Sequence, residues 1–88
     1  MITPKMVLRG KEFISSNRLR SVIYEESKKR NVINMSTGKP FTKAHIEMVL
    51  RGERENIDIE ELFITLILER KKKREDLEKS YKKEFDEV

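Results

Sequence analysis

The stretch FTKAHIEMVLRGERENIDIEELFITLIL, residues 41–68, decides the fold. In its second half Ile59, Leu62, Phe63, Leu66 and Ile67 fall at i, i+3, i+4, i+7 and i+8, a spacing that gathers them on one side of an α-helix. No other part of the chain is as strongly periodic. Asp58 with Glu61 three residues later fits a capping box, Asp replacing the usual Ser or Thr, so the helix is expected to begin near Asp58. No Gly or Pro follows. The helix is therefore expected to continue to about Glu84, roughly 40 Å long. In the first half of the stretch, Thr42 caps a short helix predicted over Lys43–Arg51, and Gly52 stands just past its end. Ile46, Val49 and Leu50 line one face of this helix. At about 100° per residue, the opposite face carries Ala44, Met48 and Arg51. Glu47 lies on its flank and Lys43 near the apolar border.

Working outward, Thr3-Pro4 signals another helix start, because Pro fits a first turn whose N–H groups lack partners. Met6, Phe13 and Ile14 share a face of this helix, and Gly10 is expected to weaken or end it. Ser15-Ser16-Asn17 forms a second cap cluster before a helix from about Asn17 to Arg30, whose stripe is Leu19, Val22 and Ile23. Asn31 to Pro40 is rich in turn formers and reads as a connector, with Val32, Ile33 and Met35 tucked inward. Met6-Val7-Leu8-Arg9-Gly10 recurs as Met48-Val49-Leu50-Arg51-Gly52. The flanks differ, so the repeat reads as two helix ends using similar residues. The predicted fold class is all-α: a helix-turn-helix-like small bundle of about four helices with a long C-terminal helix and room for a short hairpin in the 31–41 connector. One domain is expected over 1–88, with its core at about 16–70 and a C-terminal helical extension at about 71–88.

Composition removes several function classes. The chain has 88 residues, no Cys and one His. Disulfides, zinc ribbons and thiol catalysis are excluded, and no metal or cofactor site is expected. A deep enzyme cleft is not expected in so short a chain. His45 has Ala44 and Ile46 as neighbours rather than acid–base partners, and reads as a packing residue. Ser36-Thr37-Gly38-Lys39 lacks the phosphate-loop spacing, since position 33 is Ile and position 40 is Pro. No enzyme activity is expected. No apolar run approaches the roughly 20 residues of a membrane span. Lys5, Arg9, Lys11 and Glu12 interrupt the apolar core that a signal peptide needs. A soluble cytoplasmic protein is the expectation.

The net charge is +4, unevenly spread. Residues 1–56 carry 12 basic and 6 acidic side chains, whereas residues 57–88 carry 8 and 10. An anionic partner would meet the basic front. The run Arg70-Lys71-Lys72-Lys73-Arg74 reads chiefly as a solvated helix face, since Glu69, Glu75 and Asp76 flank it. Leu77, Tyr81 and Phe85 lie at i, i+4 and i+8. They are expected to pair two copies through the C-terminal helix, with the N-terminal segment folding over them as the alternative.

The pattern Ile46-x-x-Val49-Leu50-x-Gly52-x-Arg54-x-Asn56-x-x-Ile59 resembles the recognition helix and following turn of small helix-turn-helix transcriptional regulators of the phage-repressor and lactose-repressor types. The likeness extends weakly back to Leu19–Arg30 as the preceding helix. It implies that Ile46, Val49 and Leu50 anchor a recognition helix, that Gly52 ends it, and that Arg54 and Asn56 approach the DNA backbone. One departure is the connector. Such helices are joined by about three or four residues, whereas Asn31 to Phe41 gives 11 here.

The functional expectation is a sequence-specific DNA-binding regulator with residues 43–51 in the major groove of duplex DNA. Phosphates would be met by Arg18, Arg20, Lys39, Lys43, Arg51 and Arg54, with Thr42 at the helix start. Bases would be read by Lys43, Ala44, Glu47 and Met48. Glu47 would repel phosphates yet accept from a cytosine amino group, and Met48 suits a thymine methyl or a protein surface. The alternatives are a phage- or plasmid-type protein–protein adaptor of the same fold and a non-specific nucleic-acid binder. No small-molecule ligand and no membrane partner are expected.

Overall fold

The computed structural model describes residues 1–85. It holds four helices: α1 (Pro4–Phe13), α2 (Leu19–Lys29), α3 (Lys43–Leu50) and α4 (Ile57–Phe85). Between α2 and α3 lies a two-stranded antiparallel hairpin, β1 (Ile33–Asn34) and β2 (Lys39–Pro40), pairing Ile33 with Pro40 and Asn34 with Lys39. The molecule is all-α apart from this hairpin, which occupies the predicted connector.

α4 is the spine. Ile59, Leu62, Phe63 and Leu66 are buried at the predicted spacing, and Ile67 is half-buried at the edge. The cap differs from the expectation. Asn56, not Asp58, closes the helix: its Oδ1 accepts from the N–H groups of Asp58 and Ile59, both at 3.1 Å. Glu60 returns the bond, accepting from the Asn56 N–H at 3.1 Å. The cap lies two residues upstream of the expected one and its acidic partner one residue upstream. The amide of Asn56 reaches two orphan donors at once, so it outcompetes Asp58.

α1 packs along α4. Thr3 accepts from the Met6 N–H as the predicted cap. Gly10 does not end this helix, which continues to Phe13. A Cβ built on Gly10 would stand 2.6 Å from the Phe63 Cζ and 3.3 Å from a Leu19 methyl. Gly10 is there to let α1 approach the core closely, and packing outweighs its poor helix propensity. The repeated pentapeptide therefore serves two purposes. Its first copy lies inside α1, while its second ends α3, where Gly52 takes φ of +77°. That left-handed conformation suits Gly just past a helix. Ile2, ahead of α1, is itself buried and joins the core.

α2 begins at Leu19, later than predicted. Arg18 takes the cap position with no side-chain bond of its own, and the Ser15 Oγ accepts from the Arg18 N–H at 3.0 Å. Leu19 and Ile23 are buried, together with Ser27, whose hydroxyl donates to the Tyr24 carbonyl at 2.7 Å. In the connector Val32 is half-buried, but Ile33 and Met35 point outward, contrary to the expectation. A two-residue strand turns alternate side chains to opposite faces, so Ile33 and its neighbours cannot all face in. Phe41, at the hairpin's exit, is instead the buried aromatic. α3 buries Ile46 and Val49. Leu50, expected as a third anchor, is half-buried.

Candidate nucleic-acid interface

The expected DNA-binding residues fall on three parts of the molecule. The first is the junction of α2 and α3. Arg18 and Arg20 stand at the start of α2, Glu47 on α3 and Arg51 just past its end, and all four line one groove with Lys11 of α1 and half-buried Leu50. The groove measures about 490 Å³. Glu47 is not free to read a base. Its Oε2 accepts from Arg20 at 2.6 Å and its Oε1 from Arg51 at 2.9 Å. The Arg20 hydrogen bond, reinforced by the Arg51 charge, holds the Glu47 carboxyl below the usual range. The expected repulsion of phosphates is thus cancelled locally, and four cations surround one consumed anion. Arg18 meets Glu25 at a longer 3.4 Å.

The second part continues along α2. Arg20, Tyr24 and Lys28 follow at i, i+4 and i+8, one stripe of the helix. The Lys28 ammonium lies 4.6 Å from the centre of the half-buried Tyr24 ring, and the Lys43 ammonium of α3 lies 5.3 Å from it. Two cations from two helices thus rest against one aromatic ring. A ring holds a cation in place without neutralising it. The contacts step in opposite directions along the two helices, Arg20 with Glu47 and then Tyr24 with Lys43. Exposed Ala44 neighbours Lys43 at the start of α3, where the Thr42 Oγ1 accepts from the His45 N–H at 3.2 Å. The result is a positive ridge built by both helices rather than by α3 alone.

The third part lies apart from the ridge. Lys39 is exposed on β2. Arg54 follows the α3 terminus on the other flank, near enough to His45 to disfavour its protonation. Burial acts first on His45, which packs edge-on against Phe41 with ring centres 5.1 Å apart. Its imidazole is held below its usual value. Met48, expected to point outward, is half-buried. The turn folds back on it, and its carbonyl accepts from the N–H groups of Glu53 and Arg54. Tyr24, Lys28 and Lys11 were missed in the sequence. The Arg20-Tyr24-Lys28 spacing was a usable signal, obscured because Tyr24 and Val22 compete for the apolar stripe.

The stripe expected to join two copies keeps Leu77 and Tyr81 on the surface of α4. The Phe85 side chain lies outside the described residues. No helix among the described residues is long and apolar enough to cross a membrane. No protein-family model, no curated protein and no solved structure matches the chain. Fold and surface define a small all-α bundle whose most extensively packed pair of helices, α2 and α3, presents a basic ridge.

Proposed function

We propose that the chain binds duplex DNA through the α2–α3 ridge and acts as a sequence-specific regulator. The observation that carries this reading is the convergence of Lys28 and Lys43 on Tyr24. An ammonium parked on a ring keeps its charge for a phosphate, whereas one paired with a carboxylate must first give that partner up. Arg18, Arg20 and Arg51 extend the same line of charge along the groove. Glu47 orients two of these guanidiniums, each of which retains further N–H donors for phosphate oxygens. Ala44, small and exposed at the start of α3, is suited to contact a thymine methyl. Met48, half-buried, has less surface to offer a base, and Arg54 and Lys39 would meet more distant phosphates.

Fluorescence anisotropy with a duplex pool, titrated across salt, tests this. The protein should bind, with affinity falling steeply as salt rises. Replacing Lys28 and Lys43 together with Gln should flatten the salt slope by about 2 and weaken binding to all sequences alike. Absence of binding even at low salt would overturn the reading. The protein-adaptor alternative would then lead, favoured by the hairpin's apolar tip, where Met35 is 84% exposed.

A further inference from the structure

From Arg70 onward α4 carries a charged surface that the ridge does not use. Residues 70–85 hold eight Lys or Arg against four Asp or Glu. One contact fixes how this segment is turned. Arg74 donates to the Glu12 carbonyl of α1 at 3.0 Å, and its guanidinium lies 4.6 Å from the centre of the Phe13 ring. Arg74 therefore faces the same side of α4 as Ile59, Phe63 and Leu66, which are buried in the bundle. At about 100° per residue, Lys71, Lys72, Lys79, Lys82 and Lys83 fall on the opposite third of the circumference. All five are exposed, and none of them forms an ion pair among the described residues. Glu75 is the one carboxylate of residues 70–85 in that third. The row of lysines is therefore strongly positive and its charge is not consumed within the fold.

The make-up of the row narrows its partner. That third of the segment holds no apolar side chain, and Leu77 and Tyr81 lie on the bundle side of the helix. A helix that lies on a membrane buries an apolar face, and the centre of a protein–protein interface is poor in Lys. A nucleic-acid backbone asks for neither apolar surface nor shaped pockets, only cations set along its phosphates. Lys71 to Lys83 span about 18 Å along the helix. At about 3.4 Å per phosphate, that is the length of about five phosphates of one strand. The row points away from the side of α4 on which α2 and α3 pack. A duplex seated on the ridge thus leaves the row unoccupied.

We propose that this lysine row is a second DNA-binding surface, without sequence choice, and that a single copy of the chain bridges two duplexes, one on the ridge and one on the row. The inference rests on the ridge reading for the first duplex. The ridge selects a sequence, and the row holds whichever duplex lies beside it through phosphates alone.

Bridging is measured by loading the full chain on a bead-bound duplex and adding a second, dye-labelled duplex of unrelated sequence. Anisotropy with a single duplex is followed in parallel. The wild type should retain the second duplex, and retention should fall with salt along a log–log slope of about 4 to 5. K71Q/K72Q/K79Q/K82Q/K83Q should lower retention at least tenfold and leave the preference among single duplexes unchanged. Arg at the same five positions should preserve retention, since only the charge is required. L77A/Y81A should preserve it too, because bridging by one chain needs no pairing of copies. All five lysines are exposed, so thermal melting of the Gln variant should match the wild type. Binding of a single duplex without retention of a second would overturn this proposal and leave the ridge reading standing, whereas no binding to any duplex would overturn both. Retention that survives the Gln substitutions, or that L77A/Y81A abolishes, would place the second duplex on another chain's ridge and also overturn it. So would capture by the lysine row of phosphatidylserine vesicles but not of the second duplex.

Discussion

The two halves of α4 share one backbone and almost nothing else. Up to Glu69 the helix buries Ile59, Leu62, Phe63 and Leu66 and is gripped by α1, α2 and α3. From Arg70 onward every described side chain is exposed, and eight of the sixteen residues to Phe85 are Lys or Arg. The first half is helical because tertiary packing rewards its apolar stripe. The second half is tied to α1 through Arg74, whose guanidinium donates to the Glu12 carbonyl at 3.0 Å and lies 4.6 Å from the centre of the Phe13 ring; beyond that contact it must rely on good helix formers and on the nucleus already formed upstream. The difference shows that a continuous helix need not be a uniformly stable one. One part supports the fold and the other is available for partners.

Matched substitutions of one residue type give the largest contrast. Leu66→Ala removes a side chain that is 2% exposed and should cost about 2–5 kcal/mol. Leu77→Ala, on the same helix but 55% exposed, should change stability by no more than about 0.5 kcal/mol. Urea melts of both variants at low protein concentration measure the contrast. Similar costs at the two sites would mean that the outer half is packed after all.

A second test asks whether packing or propensity governs the inner half. On helix propensity alone, Gly10→Ala in α1 should stabilise by about 1 kcal/mol. The new methyl would press on the Phe63 ring, which is fully buried and has no room to swing away. We expect destabilisation by about 1–3 kcal/mol, as for other overpacked cores. A rise in melting temperature would show that α1 can slide along α4 without loss.

Much of this contrast was legible in the sequence, and the reasons are particular. The stripe from Ile59 to Leu66 could be read because it repeats over two turns and one face must be buried. Thr42 and Gly52 could be read because their chemistry acts locally. Gly10 could not, since its role depends on Phe63, more than fifty residues away. The Asn56 cap was hidden by a plausible rival two residues on. In the candidate interface, the residue types Arg18, Arg20, Lys43 and Arg51 were visible from charge alone. The pairing of Glu47 with Arg20 was not, because it joins positions 27 apart that only the packing of α2 on α3 brings together. The half-burial of Met48 was not legible either, since the turn after Gly52 returns to bond its carbonyl through the N–H groups of Glu53 and Arg54.

The smallest expected effect lies at the boundary between the halves. Glu69 accepts two bonds from Arg30, at 3.2 and 2.7 Å, and Arg30 also meets Glu26 at 3.2 Å. The Arg30 hydrogen bond, then its charge and that of Arg70, hold the Glu69 carboxyl below its usual value. A depressed carboxylate binds its proton more weakly in the folded chain than in the unfolded one. Its stabilisation is therefore complete above about pH 4.5 and is lost as pH falls through the folded value. Glu69 is half exposed, so solvent screens the pair and the stabilisation is small. The consequence is local. Protonating Glu69 releases the last tie between α2 and α4 and adds to the positive charge at Arg70–Arg74, so residues 70–85 should lose amide protection before the inner half does. Hydrogen exchange measured from pH 6 down to pH 3 should show that order. In an Arg30→Gln variant the Glu69 titration should move up toward the ordinary carboxylate range, and the early loss of protection should move up with it. A Glu69 titration unchanged by the substitution would show that the Arg30 bond does not join the two halves in solution.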